Sequence, residues 1–185
     1  MATTNGKLRY TTPGLKQEDA ERVVEILQDR LDATTDLHLT LKHVHWNVVG
    51  PHFIAVHEMI DPQVDDVRNF SDDLAERIAT LGGSPQGTPS GLVQRRTWDE
   101  YSIGRATTQE HLGALDLVYQ GVITSYRENI AELDDLDLVT QDMLIAQTDK
   151  LELFHWFVRA HLEDKSGALS TAGAGSEQEA AAAAK

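Results

Sequence analysis

Cysteine is missing altogether from the 185 residues. Its absence excludes disulfides, thiolate zinc sites, iron–sulfur clusters and cysteine nucleophiles together. Basic residues are scarce beside acidic ones: sixteen Lys and Arg face thirty Asp and Glu, a formal charge of −14. That balance excludes a protein whose whole surface grips nucleic-acid phosphate. No apolar run approaches the roughly 18 residues of a membrane span. The opening stretch MATTNGKLRYTTPG lacks the apolar centre of a signal peptide. A soluble, cytoplasmic chain without a membrane role is therefore expected. Strand signals are lacking too, and neither Gly-x-Ser-x-Gly nor Gly-x-x-x-x-Gly-Lys occurs.

What the chain does have is long 3.6-residue periodicity. Val23, Leu27, Leu37, Leu41, Val44 and Val48 fall on one stripe, with Arg30 and Thr34 filling its remaining steps. Thr12-Pro13-Gly14 opens this first helix and Gly50-Pro51 closes it. A second helix is predicted from about Val56 to Leu81, stopped by Gly82-Gly83-Ser84-Pro85. Pro62 then falls near its first turns, where proline is best tolerated. Residues 84–104 carry Pro85, Gly87, Pro89, Gly91 and Gly104, an irregular crossover with one short helix near Leu92 to Arg96. Further helices fit Ala106 to Leu133 and Leu138 to Leu162. The order predicts an all-α fold: a ferritin-like four-helix bundle whose long crossover between helices two and three carries a short helix. The bundle is expected over residues 15–166, with flexible tails at 1–14 and 167–185. The second tail is rich in Gly, Ala and Ser and ends in the helical spacer EAAAAAK.

The densest polar signal surrounds the first turn and continues down the second helix. His57 and Asp61 are spaced i, i+4, and so are Asp72 and Glu76. Eleven residues separate the two aspartates, about 20° from alignment on a straight helix, so one face carries an imidazole and three carboxylates. That donor set suits non-haem iron, with manganese or zinc as competitors. Distance then imposes a constraint. His57 and Glu76 lie about 28 Å apart along a helix and cannot share an ion within one chain. The Gly50-Pro51 turn brings His45 towards His57. Two antiparallel copies of helix two about a two-fold axis would bring His57 and Asp61 of one chain to Asp72 and Glu76 of the other. Against this stands the ordinary use of such residues: acidic pairs at i, i+4 are more often a solvated face. His38 is read as an interface or core histidine. His43, His52, His111 and His161 have no partner spacing, and Asp65 is placed to pair with Arg68 or Arg77. Glu152-Leu-Phe-His155 is half of a di-iron Glu-x-x-His pair whose second half is missing, so both residues are read as surface or packing groups.

At this point the residues look like a known family. Lys42-His-Val-His45-Trp46-Asn47, continuing through Gly50 to His57-Glu58-Met59-Ile-Asp61, closely resembles the signature of Dps, the mini-ferritins named DNA-binding protein from starved cells. Asp72-Asp-Leu-Ala-Glu76-Arg77, Leu81-Gly82 and Phe154-His-Trp156-Phe157 extend the resemblance over roughly residues 15–163. The resemblance implies a ferroxidase: a homododecamer of two-fold dimers that oxidises Fe(II), with hydrogen peroxide preferred to oxygen, and stores the ferric mineral. It implies His45, His57 and Asp61 as iron ligands from one subunit and Asp72 and Glu76 from its mate. Trp46 matches the family's site tryptophan, a sink for one-electron oxidants. Asp134, Asp135, Asp137 and Asp142 resemble the family's three-fold iron pores, with Asp142 the best match.

The tails depart from the family pattern. DNA-binding members carry Lys- and Arg-rich extensions, whereas residues 1–14 hold only Lys7 and Arg9. From Glu163 onward, Lys165 and Lys185 are outweighed by Glu163, Asp164, Glu177 and Glu179. DNA binding is therefore expected to be weak or absent. Two functions compete: an iron-oxidising store, and a structural protein that shields the nucleoid by physical association. Tail charge favours the first.

Overall fold

The stripe through Val23, Leu27, Leu37, Leu41 and Val44 becomes the buried face of α1 (Gln17–Asn47) in the computed structural model, which describes residues 8–185. Helix α2 (Phe53–Thr80) returns against it after Gly50, whose φ of +111° suits a residue without Cβ. The crossover carries the short α3 (Pro89–Arg95), and α4 (Thr108–Leu133) and α5 (Leu138–Ala160) form the second antiparallel hairpin. Val56, Ile60, Leu74, Leu115, Tyr119, Tyr126, Leu144 and Leu151 join the α1 stripe in one core. The four-helix bundle with its long crossover is thus the observed fold. No helix among the described residues is long and apolar enough to cross a membrane.

Local chemistry sets the helix ends. Thr107 caps α4 reciprocally: its hydroxyl accepts from the Glu110 backbone at 3.3 Å, and Glu110 accepts from the Thr107 N–H at 3.0 Å. Asp137 caps α5 by accepting from the backbone of Val139 and Thr140, and also receives Arg77 at 2.6 Å. Gly82, at φ +90°, ends α2.

Three expectations are corrected. First, two short strands exist: β1 (Val48–Val49) and β2 (Ala106–Thr107) pair in parallel, tying the first turn to the start of α4. Two residues are too few to show alternation, so no sequence pattern announces them. Second, α2 begins three residues before the predicted start, which sets Pro62 a turn deeper in the helix than expected, where it leaves the Glu58 carbonyl without its usual i+4 donor. Third, residues 167–185 are packed rather than a free tail. Helix α6 (Glu177–Ala183) lies on α4, with Ala180 fully buried and Ala184 nearly so. At the other end, residues 1–7 of the predicted first tail lie outside the described residues. Leu8 is buried, and its N–H donates to Glu21 at 3.1 Å.

The C-terminal segment docks for two physical reasons. A Cβ on Gly113 would lie 2.6 Å from the Ala180 carbonyl, so the missing side chain lets α6 touch α4 backbone to backbone. Upstream, Asp116 is almost fully buried and accepts from Thr171 Oγ1 at 2.6 Å, His155 Nε2 at 2.6 Å and Arg159 Nε at 2.8 Å. Alanine methyls contribute only about 0.8 kcal/mol each on burial, so α6 is held marginally. Gly113→Val is expected to release α6 while the bundle stays folded. Hydrogen exchange of the α6 amides should rise by more than about tenfold, with α1 and α2 unchanged. Unchanged exchange in α6 would show that the contact is not limiting.

Candidate metal centre

His45 sits in the last turn of α1 and His57 in the second turn of α2, so the Gly50 turn sets one against the other. Their rings stack with centroids 3.6 Å apart at 22°. Each Nδ1 lies on the other residue's main-chain oxygen: His45 Nδ1 to His57 O at 3.1 Å, His57 Nδ1 to His45 O at 3.0 Å. A carbonyl only accepts, so both Nδ1 atoms carry a proton, an arrangement that leaves Nε2 of each neutral ring as the atom with a lone pair for a metal. Asp61 follows one turn after His57. One donor atom from each of His45, His57 and Asp61 falls within 4.8 Å of the others.

Asp61 is held electrostatically. Lys42 Nζ lies 2.8 Å from its Oδ1 and His45 Nδ1 lies 3.2 Å away. The Lys42 hydrogen bond holds the Asp61 carboxyl below its ordinary value, with the neighbouring histidines adding to the pull. Its carboxylate is therefore ionised at neutral pH and ready to accept a cation. Lys42 is the site residue that sequence reasoning missed. Its spacing to His45, one helical turn, is the signal that could have found it.

The remaining predicted residues divide. Asp72 and Glu76 are exposed further along α2 and have no ion-pair partner among the described residues. Fifteen residues of helix separate Asp61 from Glu76, about 22 Å, so they stand apart from the histidine pair within this chain. Trp46 is 71% exposed beside His45, and Leu39, Phe53 and Ile54 are also open to solvent. Asp142 is exposed on α5, whereas Asp137 is spent on the cap and on Arg77, and Asp134 accepts from Gln141. Asp65 pairs with Arg68 at 3.5 Å. Glu152 pairs with Arg127 at the surface and His155 is buried on Asp116, the surface and packing roles expected of them. Among the other histidines, His43 contacts the Ile103 carbonyl, His111 contacts the Tyr101 hydroxyl and His161 bonds the Phe157 carbonyl.

Residues 24–167 match the ferritin-like domain family. The DNA protection during starvation protein of Mycolicibacterium smegmatis is 59% identical over 172 residues, which are 93% of this chain and 94% of that protein. A solved Mycobacterium smegmatis Dps structure superposes with a TM-score of 0.89 at 60% identity, covering 90% of this chain and 95% of that one. DpsA14 from Streptomyces coelicolor gives 0.87 at 61%, covering 88% and 97%. The chain belongs to the Dps family of ferritin-like proteins.

Proposed function

We propose that this protein is a ferroxidase and iron store that oxidises Fe(II), with hydrogen peroxide ahead of oxygen as oxidant, and keeps the ferric product inside a shell of twelve subunits. The observation that carries the proposal is the division of donors along α2. His45, His57 and Asp61 converge at one end, while Asp72 and Glu76 stand exposed about 16 and 22 Å further along the helix. A two-fold mate running antiparallel would bring Asp72 and Glu76 over the histidine pair, giving two equivalent shared sites per dimer. Leu39, Trp46, Phe53 and Ile54 are exposed apolar residues, Phe53 with its ring 4.9 Å from that of His57, and are the kind of surface a second subunit covers.

The residues would act in named ways. His45 and His57 offer Nε2 lone pairs from a fixed tautomer. Asp61 exchanges the Lys42 ammonium for Fe(II), and Asp72 and Glu76 complete the charge neutralisation. Each peroxide takes two electrons from two Fe(II) and leaves as water after accepting two protons, so no hydroxyl radical is released. Trp46, adjacent to the site, would absorb stray one-electron oxidants. Asp142 would line the entry for Fe(II). In the bacterial cytoplasm this chemistry protects DNA by denying Fenton chemistry its reagents.

The direct test adds Fe(II) and then peroxide anaerobically, following ferric absorbance and particle mass. A particle of about twelve subunits that consumes about two Fe(II) per peroxide is expected. A stable monomer that oxidises iron at the same rate would overturn the shared site.

The alternative, shielding of the nucleoid by binding it, meets an electrostatic obstacle. Twelve chains at −14 each would carry about −168, and affinity for DNA grows with the phosphates neutralised. Of the C-terminal basic residues, Lys185 is already paired with Glu110 at 3.0 Å. Little or no gel shift is expected at about 0.15 M salt and neutral pH, where screening is substantial. Binding should emerge only as pH falls towards the pI of 4.8. Tight complexes at physiological salt would restore the nucleoid role.

A further inference from the structure

Away from the metal centre, a cavity of about 670 Å³ opens between α1, α4, the crossover and the C-terminal segment. Ala33, Leu37, Leu117, Val118 and Val122 supply apolar wall, and Arg30 lies in its lining. Arg30 is 6% exposed, yet no acceptor among the described residues reaches its Nε or Nη1. Its guanidinium lies over the Tyr126 ring, 5.3 Å from Cζ, and Asp29 and Glu128 favour its charge without bonding to it. A buried guanidinium is ordinarily paired, because stacking on one ring returns less than the hydration given up. Of the fork's nitrogens, Nη2 is the one not closed off.

The acids along the cavity limit what Arg30 could hold. Asp36 is engaged by Trp98 Nε1 at 2.6 Å and by Arg96 at 3.9 Å, and Glu177 accepts from Ser102. Asp99 and Glu100 stand exposed in the lining. They would repel a polyanion such as a nucleotide, whereas a single carboxylate seated on the guanidinium is separated from them by its own body. The volume lies within the usual range of small-molecule sites, about 300–1,000 Å³.

We propose that this cavity is a binding site for a small organic monocarboxylate with an apolar body, its carboxylate on Arg30 and its body against Leu37, Val118 and Val122. The site is independent of the iron chemistry, since none of its residues belongs to the metal centre.

The test uses the assembled full chain and three probes: phenylacetate, its neutral isostere phenylacetamide, and ATP. Calorimetry or ligand-observed NMR should show saturable phenylacetate binding at millimolar concentration. Phenylacetamide should bind at least about tenfold more weakly, consistent with loss of a charge-assisted hydrogen bond, and ATP not at all. Arg30→Met keeps the length of the side chain and removes its charge. Gly121→Leu fills the mouth from α4, where a Cβ would meet nothing within 4 Å. Each folded variant, checked by circular dichroism and particle mass, should lose phenylacetate binding at least about tenfold. Should Arg30→Met fail to fold, Gly121→Leu alone decides. Absence of saturable binding, equal binding of the amide, binding of ATP, or retention of phenylacetate by either folded variant would overturn the proposal.

Discussion

His57→Ala and Glu76→Ala are each expected to lower the initial rate of ferric absorbance by about two orders of magnitude, while the particle stays assembled. The two residues are about 28 Å apart on one helix, yet the proposed site needs both. His57 removal leaves His45 stacked on nothing and strips one Nε2 donor. Glu76 removal takes a carboxylate that has no other partner among the described residues and so costs the fold little. The informative experiment mixes the two variants by disassembly and reassembly. In a dimer of unlike variants, one site combines both substitutions and the other has every ligand. Random pairing should therefore return about a quarter of wild-type sites. Recovery of that size requires ligands from two chains. Normal rates in both single variants would place the chemistry elsewhere, and zero recovery would argue against sharing.

The largest effect on stability is expected at Asp116. Burial alone would raise its carboxyl, but hydrogen bonds from His155, Thr171 and Arg159 outweigh it, so folded Asp116 lies well below the usual carboxylate range. A carboxyl lowered by folding contributes stability that is complete above its unfolded value near ~3.9 and fades as pH falls through the folded value. Asp116→Asn keeps the shape and removes the charge facing His155 and Arg159. A loss of about 3 kcal/mol at pH 7 is expected, seen as a fall in Tm of roughly 6 to 12 °C. Below pH 3 the gap between variant and parent should narrow. Thr171→Val should loosen only residues 167–185, because its hydroxyl is one of three donors. A pH-independent gap, or no gap, would remove Asp116 as the electrostatic hub.

How much of this was legible beforehand follows from how far apart the interacting residues lie. The α1 stripe, the Gly50 and Gly82 stops and the His57–Asp61 spacing are local patterns, set by 3.6 residues per turn and by backbone conformations that glycine alone adopts readily. They could be read directly, and with them the bundle, the convergence of His45 on His57 and the isolation of Asp72 and Glu76. Lys42 was within reach by the same reasoning.

The remaining features depend on contacts that no period encodes. Asp116 meets His155 and Thr171, which are 39 and 55 residues away, and Gly113 meets Ala180 across a still longer span of chain. In the sequence, Gly113 is a weak spot in a helix and residues 167–185 have the composition of a linker. Only when α4 and α5 are packed does a buried carboxylate find three donors and a missing Cβ become a docking surface. Arg30 shows the same limit from the other side. Its place on the α1 stripe fixed that it points inward, because periodicity determines direction. Whether an acceptor would meet it there was decided by α4, the crossover and α6, whose packing leaves the guanidinium on Tyr126 with a cavity beside it.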